Sequence, residues 1–251
     1  MHNELLTIGP ITLYSYGLMI ALGILVAYKV VVSRAEKKQI EHVHIYSLTM
    51  WSLLGGFAGA KLLYWITQMN NIIQNPRLLL NVSEGFVVYG GIIGGVVAGY
   101  LYCRKNKLDF LQHLDLFAPS IALAQGFGRI GCLLAGCCYG EETNSWLGIT
   151  FHHSEFAPND VKLFPTQFME SLLGFSLFFV LIYVARKFRL PRGGIAGLYL
   201  VIYSLGRFGI EFFRGDLIRG QLGGFATSQW IAIGVVLITG LAFVLQARKK
   251  I

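Results

Sequence analysis

The sequence predicts an all-α fold: a polytopic transmembrane helical bundle of about seven spans, N-terminus outside and C-terminus in the cytoplasm. Three observations predict it. Of 251 residues, 55% are hydrophobic and 14% charged, and the mean hydropathy is +0.58. A soluble domain carries about 25% charged residues. The apolar residues gather into runs near the roughly 20-residue length that crosses a bilayer. The basic residues collect in alternate connections between those runs.

The runs fall near 11–32, 46–66, 86–103, 114–135, 166–185, 194–213 and 225–247. The N-terminal stretch 1–10 lacks the basic flank of a signal peptide, and the first run exceeds the roughly 7–15 residues of a signal core, so it is expected to remain as a span. The fourth run is the least regular, because Pro119 and several glycines interrupt it. A shorter amphipathic piece, 70–82, is expected to lie flat at the outer surface. The chain is expected to form one integral-membrane domain over 1–251, with its longest extracytoplasmic loop at about 139–165.

Orientation follows from the connections. Lys29, Arg34, Lys37 and Lys38 follow the first run. Arg104, Lys105 and Lys107 follow the third, and Arg186, Lys187, Arg189 and Arg192 the fifth. Arg248, Lys249 and Lys250 end the chain. The opposite connections hold only Arg77, Lys162, Arg214 and Arg219. Cytoplasmic loops of membrane proteins concentrate Lys and Arg. The formal charge of +8 is therefore explained by topology, and nucleic acid is excluded as a partner.

Glycines recur inside the second run at 55, 56 and 59 and inside the third at 90, 91, 94, 95 and 99. Such small residues let helices approach closely in lipid. No nucleophile elbow, phosphate-binding loop or His-Glu-x-x-His is present, so hydrolase and nucleotidase chemistry has no motif to stand on.

Five charges stay within or beside apolar runs: Lys61, Arg129, Glu170, Arg207 and Glu211. Charge at that depth is costly and usually faces a partner or a cavity. Glu211 follows Arg207 by four, so the two share a helix face and can form a purely structural pair. Arg129 has no acid within one turn. It stands in Gly128-Arg129-Ile130-Gly131, and the competing readings are a snorkelling helix end, a partner in Glu170, and convergence with Arg207 on one phosphate. Guanidinium forks match phosphate bidentately, and a phospholipid head group is the phosphate most available to a membrane pocket.

Of four cysteines, Cys103 reads as a small core residue, while Cys132, Cys137 and Cys138 cluster beside Arg129. Packing, a disulfide, and thiol nucleophiles or ligands are all open there. With no histidine nearby apart from His152 and His153 in the following loop, the spacing is a weak metal signal, and neither a metal nor a cofactor is expected. Tyr14, Tyr16, Tyr89, Tyr139 and Tyr203 sit near run ends or glycines, where an interfacial belt is the default reading.

Taken in order, these segments resemble the prolipoprotein diacylglyceryl transferase family of bacterial inner membranes, over nearly the whole chain. Ile8-Gly9-Pro10-Ile11 through Tyr14-Ser15-Tyr16-Gly17-Leu18-Met19 is similar to the family's opening. Tyr89-Gly90-Gly91-Ile92-Ile93-Gly94 resembles its His-Gly-Gly segment, and Gly128 through Gly140 its signature. Phe164-Pro165-Thr166-Gln167-Phe168-Met169-Glu170 resembles its Pro-x-Gln-Leu-Tyr-Glu. Tyr203 through Arg207 to Glu211, Arg214 and Asp216 resembles its sixth span.

The resemblance implies transfer of diacylglyceryl from phosphatidylglycerol to the lipobox cysteine of a prolipoprotein. A thioether forms and glycerol phosphate leaves. Its partners would be that lipid, the lipobox segment and the bilayer of the bacterial cytoplasmic membrane. It also implies catalytic roles at Arg129, Arg207, Glu170, Glu211 and Tyr89, and phosphatidylglycerol binding at Arg129, Gly140, Tyr16, Tyr203 and Arg207. The chain departs from the pattern at three places: Tyr89 stands for a histidine, Cys132 for an asparagine and Cys137 for an acidic residue. A tyrosine, with a pKa of about 10, is a poor base near neutrality. Either the histidine is not an obligatory base, or this divergent member serves another acceptor.

Overall fold

A computed structural model describes residues 4–8, 11–79, 85–215 and 221–248. Among them the chain is mostly helical. A hairpin, β1 (Glu4–Ile8) and β2 (Ile11–Tyr14), leads into α1 (Ser15–Glu36). Then follow α2 (His42–Thr67), the short α3 (Met69–Gln74), a single 3-10 turn (Pro76–Leu79) and α4 (Val88–Lys105). α5 (Phe110–Ala135), the pair β3 (Ile149–Thr150) and β4 (Lys162–Leu163), α6 (Thr166–Lys187) and α7 (Gly194–Glu211) come next. The hairpin β5 (Gln221–Leu222) and β6 (Phe225–Ala226) precedes α8 (Thr227–Arg248).

Seven of these helices reach 18 residues, one at each apolar run, and four are long and apolar enough to cross a membrane: α1, α5, α6 and α8. The outer faces are apolar. Ile238 in α8 is 72% exposed and Phe57 in α2 64%, surfaces that suit lipid and not water.

Three sequence expectations change. The first helix starts at Ser15, because residues 11–14 pair with Glu4–Ile8. α5 is continuous through Pro119, which is fully buried and is tolerated because neighbouring helices cover the backbone it leaves open. The stretch 139–165 is a small folded lobe, with β3 and β4 paired and a core of Phe151, Ala157 and Leu163. Of the amphipathic stretch, 70–79 is α3 and the 3-10 turn without a buried residue, and 80–82 lie outside the described residues.

The chain divides into two compact units, 1–30 with 114–251, and 31–113. In the second unit α2 and α4 meet through glycines. A Cβ on Gly55 would lie 2.7 Å from Gly94 O, and one on Gly90 2.6 Å from Leu63 Cβ, so the backbones touch where side chains would stand. Lys61 is buried in this unit, its Nζ 5.2 Å from the ring centroids of both Tyr64 and Phe86.

In the first unit Ala118, Ala122, Leu177, Leu181, Ile195 and Tyr199 form the core between α5, α6 and α7. Asp115 of α5 sets the start of α7: its Oδ2 accepts from Gly193 N and its Oδ1 from Ala196 N, each at 2.8 Å. An N-terminal turn has orphan N–H groups that an aspartate can satisfy, and here a different helix supplies it.

Candidate active site

Close packing places the charges. A Cβ on Gly174 would lie 2.9 Å from both Ala122 O and Gly126 N, and Ser171 Oγ donates to Gly126 O at 3.0 Å. α5 and α6 thus touch one turn before Arg129 and at Glu170. Gly206 of α7 lies against Leu173 of α6 in the same way. Three helices then converge on one carboxylate.

Glu170 is the hub, 4% exposed. Arg129 Nε pairs with its Oε2. Arg207 Nη1 lies 2.9 Å from its Oε1, and Arg214 Nη1 3.2 Å from the same atom. Arg207 also reaches Glu211 Oε2 at 2.6 Å, the i,i+4 pair expected on one helix face. Among the described residues, three guanidiniums and two carboxylates meet in this buried cluster. Arg129 is the most open of the three, with a side chain 25% exposed against 11% for Arg207 and 3% for Arg214.

The chain after α5 completes the wall. Gly136, at φ +75°, ends the helix, with Gly136 N bonded to Leu133 O and Cys137 N to Cys132 O at 3.1 Å, a Schellman arrangement. Gln167 Nε2 donates to Cys137 O and Thr166 Oγ1 to Cys138 O, each at 2.8 Å, so the first turn of α6 fixes this loop. Gly140 lies between two strands of chain: its N–H donates to Phe164 O at 3.0 Å, and Glu141 N donates to Phe213 O at 3.0 Å. A Cβ at Gly140 would sit 2.5 Å from Phe164 O and 2.6 Å from Phe213 O, which only glycine avoids. Gly140 pairs with Arg214 in this bridge, so it holds the backbone from which the third guanidinium extends.

Two tyrosines belong to the same unit. Gly23 of α1 packs on Phe127 of α5, and Tyr16 lies against Gly131, where a Cβ would be 3.1 Å from its Cδ2. Tyr203, one turn before Arg207, stacks on Tyr199 at 5.8 Å, and Tyr199 OH donates to Gln125 Oε1 at 2.9 Å. Both Tyr16 and Tyr203 are electrostatic neighbours of Arg129. Tyr89, in the first turn of α4, belongs to the other unit and is 42% exposed.

The sulfur atoms of Cys132, Cys137 and Cys138 all lie within 4.8 Å of one another. Hydrogen bonds to the Cys132 and Cys138 thiols push the Cys137 thiol up. Hydrogen bonds with Cys132 and Cys137 pull the Cys138 thiol down, and the Arg214 and Arg129 guanidiniums act in the same direction. His152 pairs instead with Asp160, at 2.7 Å.

Sequence reasoning missed Arg214, which it placed in an outer loop. The side chain is buried because Arg214 lies seven residues after Arg207 and three after Glu211, so it continues their face beyond the end of α7. That spacing was the available signal. Gln167, fully buried and bonded across to Cys137, carried no signal beyond its place in a motif. Asp216 lies outside the described residues.

Comparison with known proteins gives the family of the chain. The family described as prolipoprotein diacylglyceryl transferase matches residues 3–245. A phosphatidylglycerol–prolipoprotein diacylglyceryl transferase of Clostridium tetani is 45% identical over 250 residues, covering 100% of both chains. A second of that name, numbered 2, from Clostridium perfringens is 43% identical over 91% of this chain and 89% of its own. One from Finegoldia magna is 32% identical over 100% of this chain and 98% of its own. With matches of this extent, the chain belongs to the prolipoprotein diacylglyceryl transferase family.

Proposed function

We propose that this chain transfers the diacylglyceryl group of phosphatidylglycerol to the lipobox cysteine of prolipoproteins, as its relatives are named for doing. One observation carries the reading beyond the names: the guanidiniums of Arg129, Arg207 and Arg214 converge on one buried carboxylate, Glu170. Guanidinium forks match phosphate oxygens, so a lipid head group suits a site built from three of them.

The chemistry follows from that arrangement. The acceptor thiol gives up its proton to solvent, and its sulfur attacks the glyceryl carbon bonded to the phosphate oxygen. The C–S bond forms, the C–O bond breaks, and its electron pair leaves on glycerol phosphate. Negative charge grows on the phosphate during the step. Preorganised guanidiniums in a water-poor site stabilise that growth more than they stabilise the lipid as bound. Arg129, Arg207 and Arg214 hold the phosphate in this reading. Glu170 and Glu211 orient them, and Tyr16 and Tyr203 flank the head group. Gly140 contributes to that binding wall. Tyr89 is assigned a hydrogen-bonding part by the family resemblance alone.

The reading includes a place: the cytoplasmic membrane of a bacterium, spanned about seven times, with N-terminus out and C-terminus in, both units forming one transferase domain. Its test is direct. Purified protein is incubated with labelled phosphatidylglycerol and a lipobox peptide, and the product is analysed by mass spectrometry. A diacylglyceryl thioether is expected. Intact peptide and intact lipid, with folded protein, would overturn the assignment.

A further inference from the structure

We propose that Cys132, Cys137 and Cys138 form a trithiolate site for a thiophilic metal ion, zinc by chemistry, whose fourth position takes the acceptor thiol; this rests on the transferase reading above. The three residues are far from a generic cysteine-rich loop. Their sulfurs converge within 4.8 Å of one another. Zinc–sulfur bonds of about 2.3 Å place tetrahedral ligands about 3.8 Å apart, a contraction of about 1 Å at most. A disulfide joins two sulfurs and leaves the third idle, whereas a metal uses all three.

The backbone holds them for this. The Cys137 N–H bond to Cys132 O sets one pair side by side. Cys138 sits at φ +61°, a left-handed conformation that a non-glycine residue adopts at a cost. That conformation is maintained by Thr166 on the Cys138 carbonyl and by Gln167 on the Cys137 carbonyl. These bonds fix the backbone that carries two of the three converging thiols. Cys132 is buried and the other two are partly open, so the site is reachable from solvent at Cys137 and Cys138.

Charge agrees. Zinc with three thiolates has one net negative charge, which would be expensive in an apolar site by itself. Arg129 and Arg214 are electrostatic neighbours of Cys138 and offset it. The arrangement also meets a need of the reaction. A metal-bound thiol is deprotonated outright. Coordination of the acceptor's S–H releases its proton to solvent. The bound thiolate then forms the C–S bond, the C–O electron pair leaves on glycerol phosphate, and no redox partner is required. Two of the three ligands, Cys132 and Cys137, are positions where this chain departs from the family pattern, so the site would be particular to this kind of member.

The test uses the full-length purified protein and zinc alone, then cobalt in its place. About one zinc per chain is expected, with a sulfur-to-cobalt charge-transfer band after exchange. Cys132→Ser, Cys137→Ser and Cys138→Ser should each weaken zinc affinity by at least about 10-fold, and Cys103→Ser, in the other unit, should not. Chelation should abolish thioether formation and zinc restore it. Protein that neither contains nor takes up zinc, or that has a disulfide among these residues by intact mass, overturns the site. Full transfer by metal-depleted protein overturns its role and leaves the transferase reading intact. Zinc-loaded protein with no transfer on any lipobox peptide removes the transferase reading, and the proposed role with it.

Discussion

At the residue scale, single substitutions in the cluster have distinct expected effects. Arg129, Arg207 and Arg214 share one acceptor, Glu170. In the proposed function these guanidiniums also hold the lipid phosphate. Lysine keeps the charge and loses the fork. Arg129→Lys and Arg214→Lys are therefore expected to reduce transfer on the order of 100-fold while the protein stays folded, since a lost transition-state donor in a dry site costs about that much. Initial rates on labelled phosphatidylglycerol measure it, and near-normal rates for both variants would refute the clamp. Glu170 behaves differently. Glu170→Leu leaves three guanidiniums buried around an apolar side chain and should cost about 3–5 kcal/mol of stability, as for a broken buried pair. Glu170→Gln keeps an acceptor oxygen and should lose less, in both melting temperature and rate. Equal loss of activity in the two variants, both folded, would instead assign Glu170 a proton.

At the element scale, the start of α7 is set by a residue of another helix. Asp115 caps α7 from α5, with both oxygens on backbone N–H groups. Asp115→Ala removes both bonds and should cost at least about 1–2 kcal/mol. The rate per folded molecule should fall little, because the cap lies at the end of α7 opposite Arg207. Thermal melting in detergent compared with specific activity separates the two, and an unchanged melting temperature would refute the cap. No spacing in the sequence announces this contact, because 78 residues separate Asp115 from Gly193. That is the general limit here. Helix positions were legible, since lipid forces long apolar runs, and so was the Arg207–Glu211 pair, which is local. The β1–β2 hairpin was not legible, because Ile11–Tyr14 is as apolar as the helix it precedes. The continuity of α5 was not, since a proline reads as a break until neighbouring helices are known to cover it. The Arg129–Glu170 pair was legible only as one option among several, because it joins helices.

At the scale of the whole molecule, the charges at the helix ends agree with the proposed orientation. The last turns of α1, α4 and α6 contain Arg34, Arg104 with Lys105, and Arg186 with Lys187. The last turns of α2, α5 and α7 contain no basic residue. Counting only the seven long helices, these are alternate ends, as expected if successive helices cross in opposite senses with the basic ends in the cytoplasm. In the proposed orientation the end of α5 and the start of α6, with Arg129 and Glu170, lie on the outer side. There a prolipoprotein whose leader already crosses the membrane presents its cysteine. The folded lobe of β3 and β4 joins these two ends, so its location decides the matter. Reporter fusions should show a cytoplasmic C-terminus and an extracytoplasmic site near Pro158, and a membrane-impermeant thiol reagent should reach a cysteine introduced at Ser145 in intact cells. A cytoplasmic reporter at 158 would reverse the orientation and place the site away from its acceptor, and the proposed reaction would then have no route to its substrate.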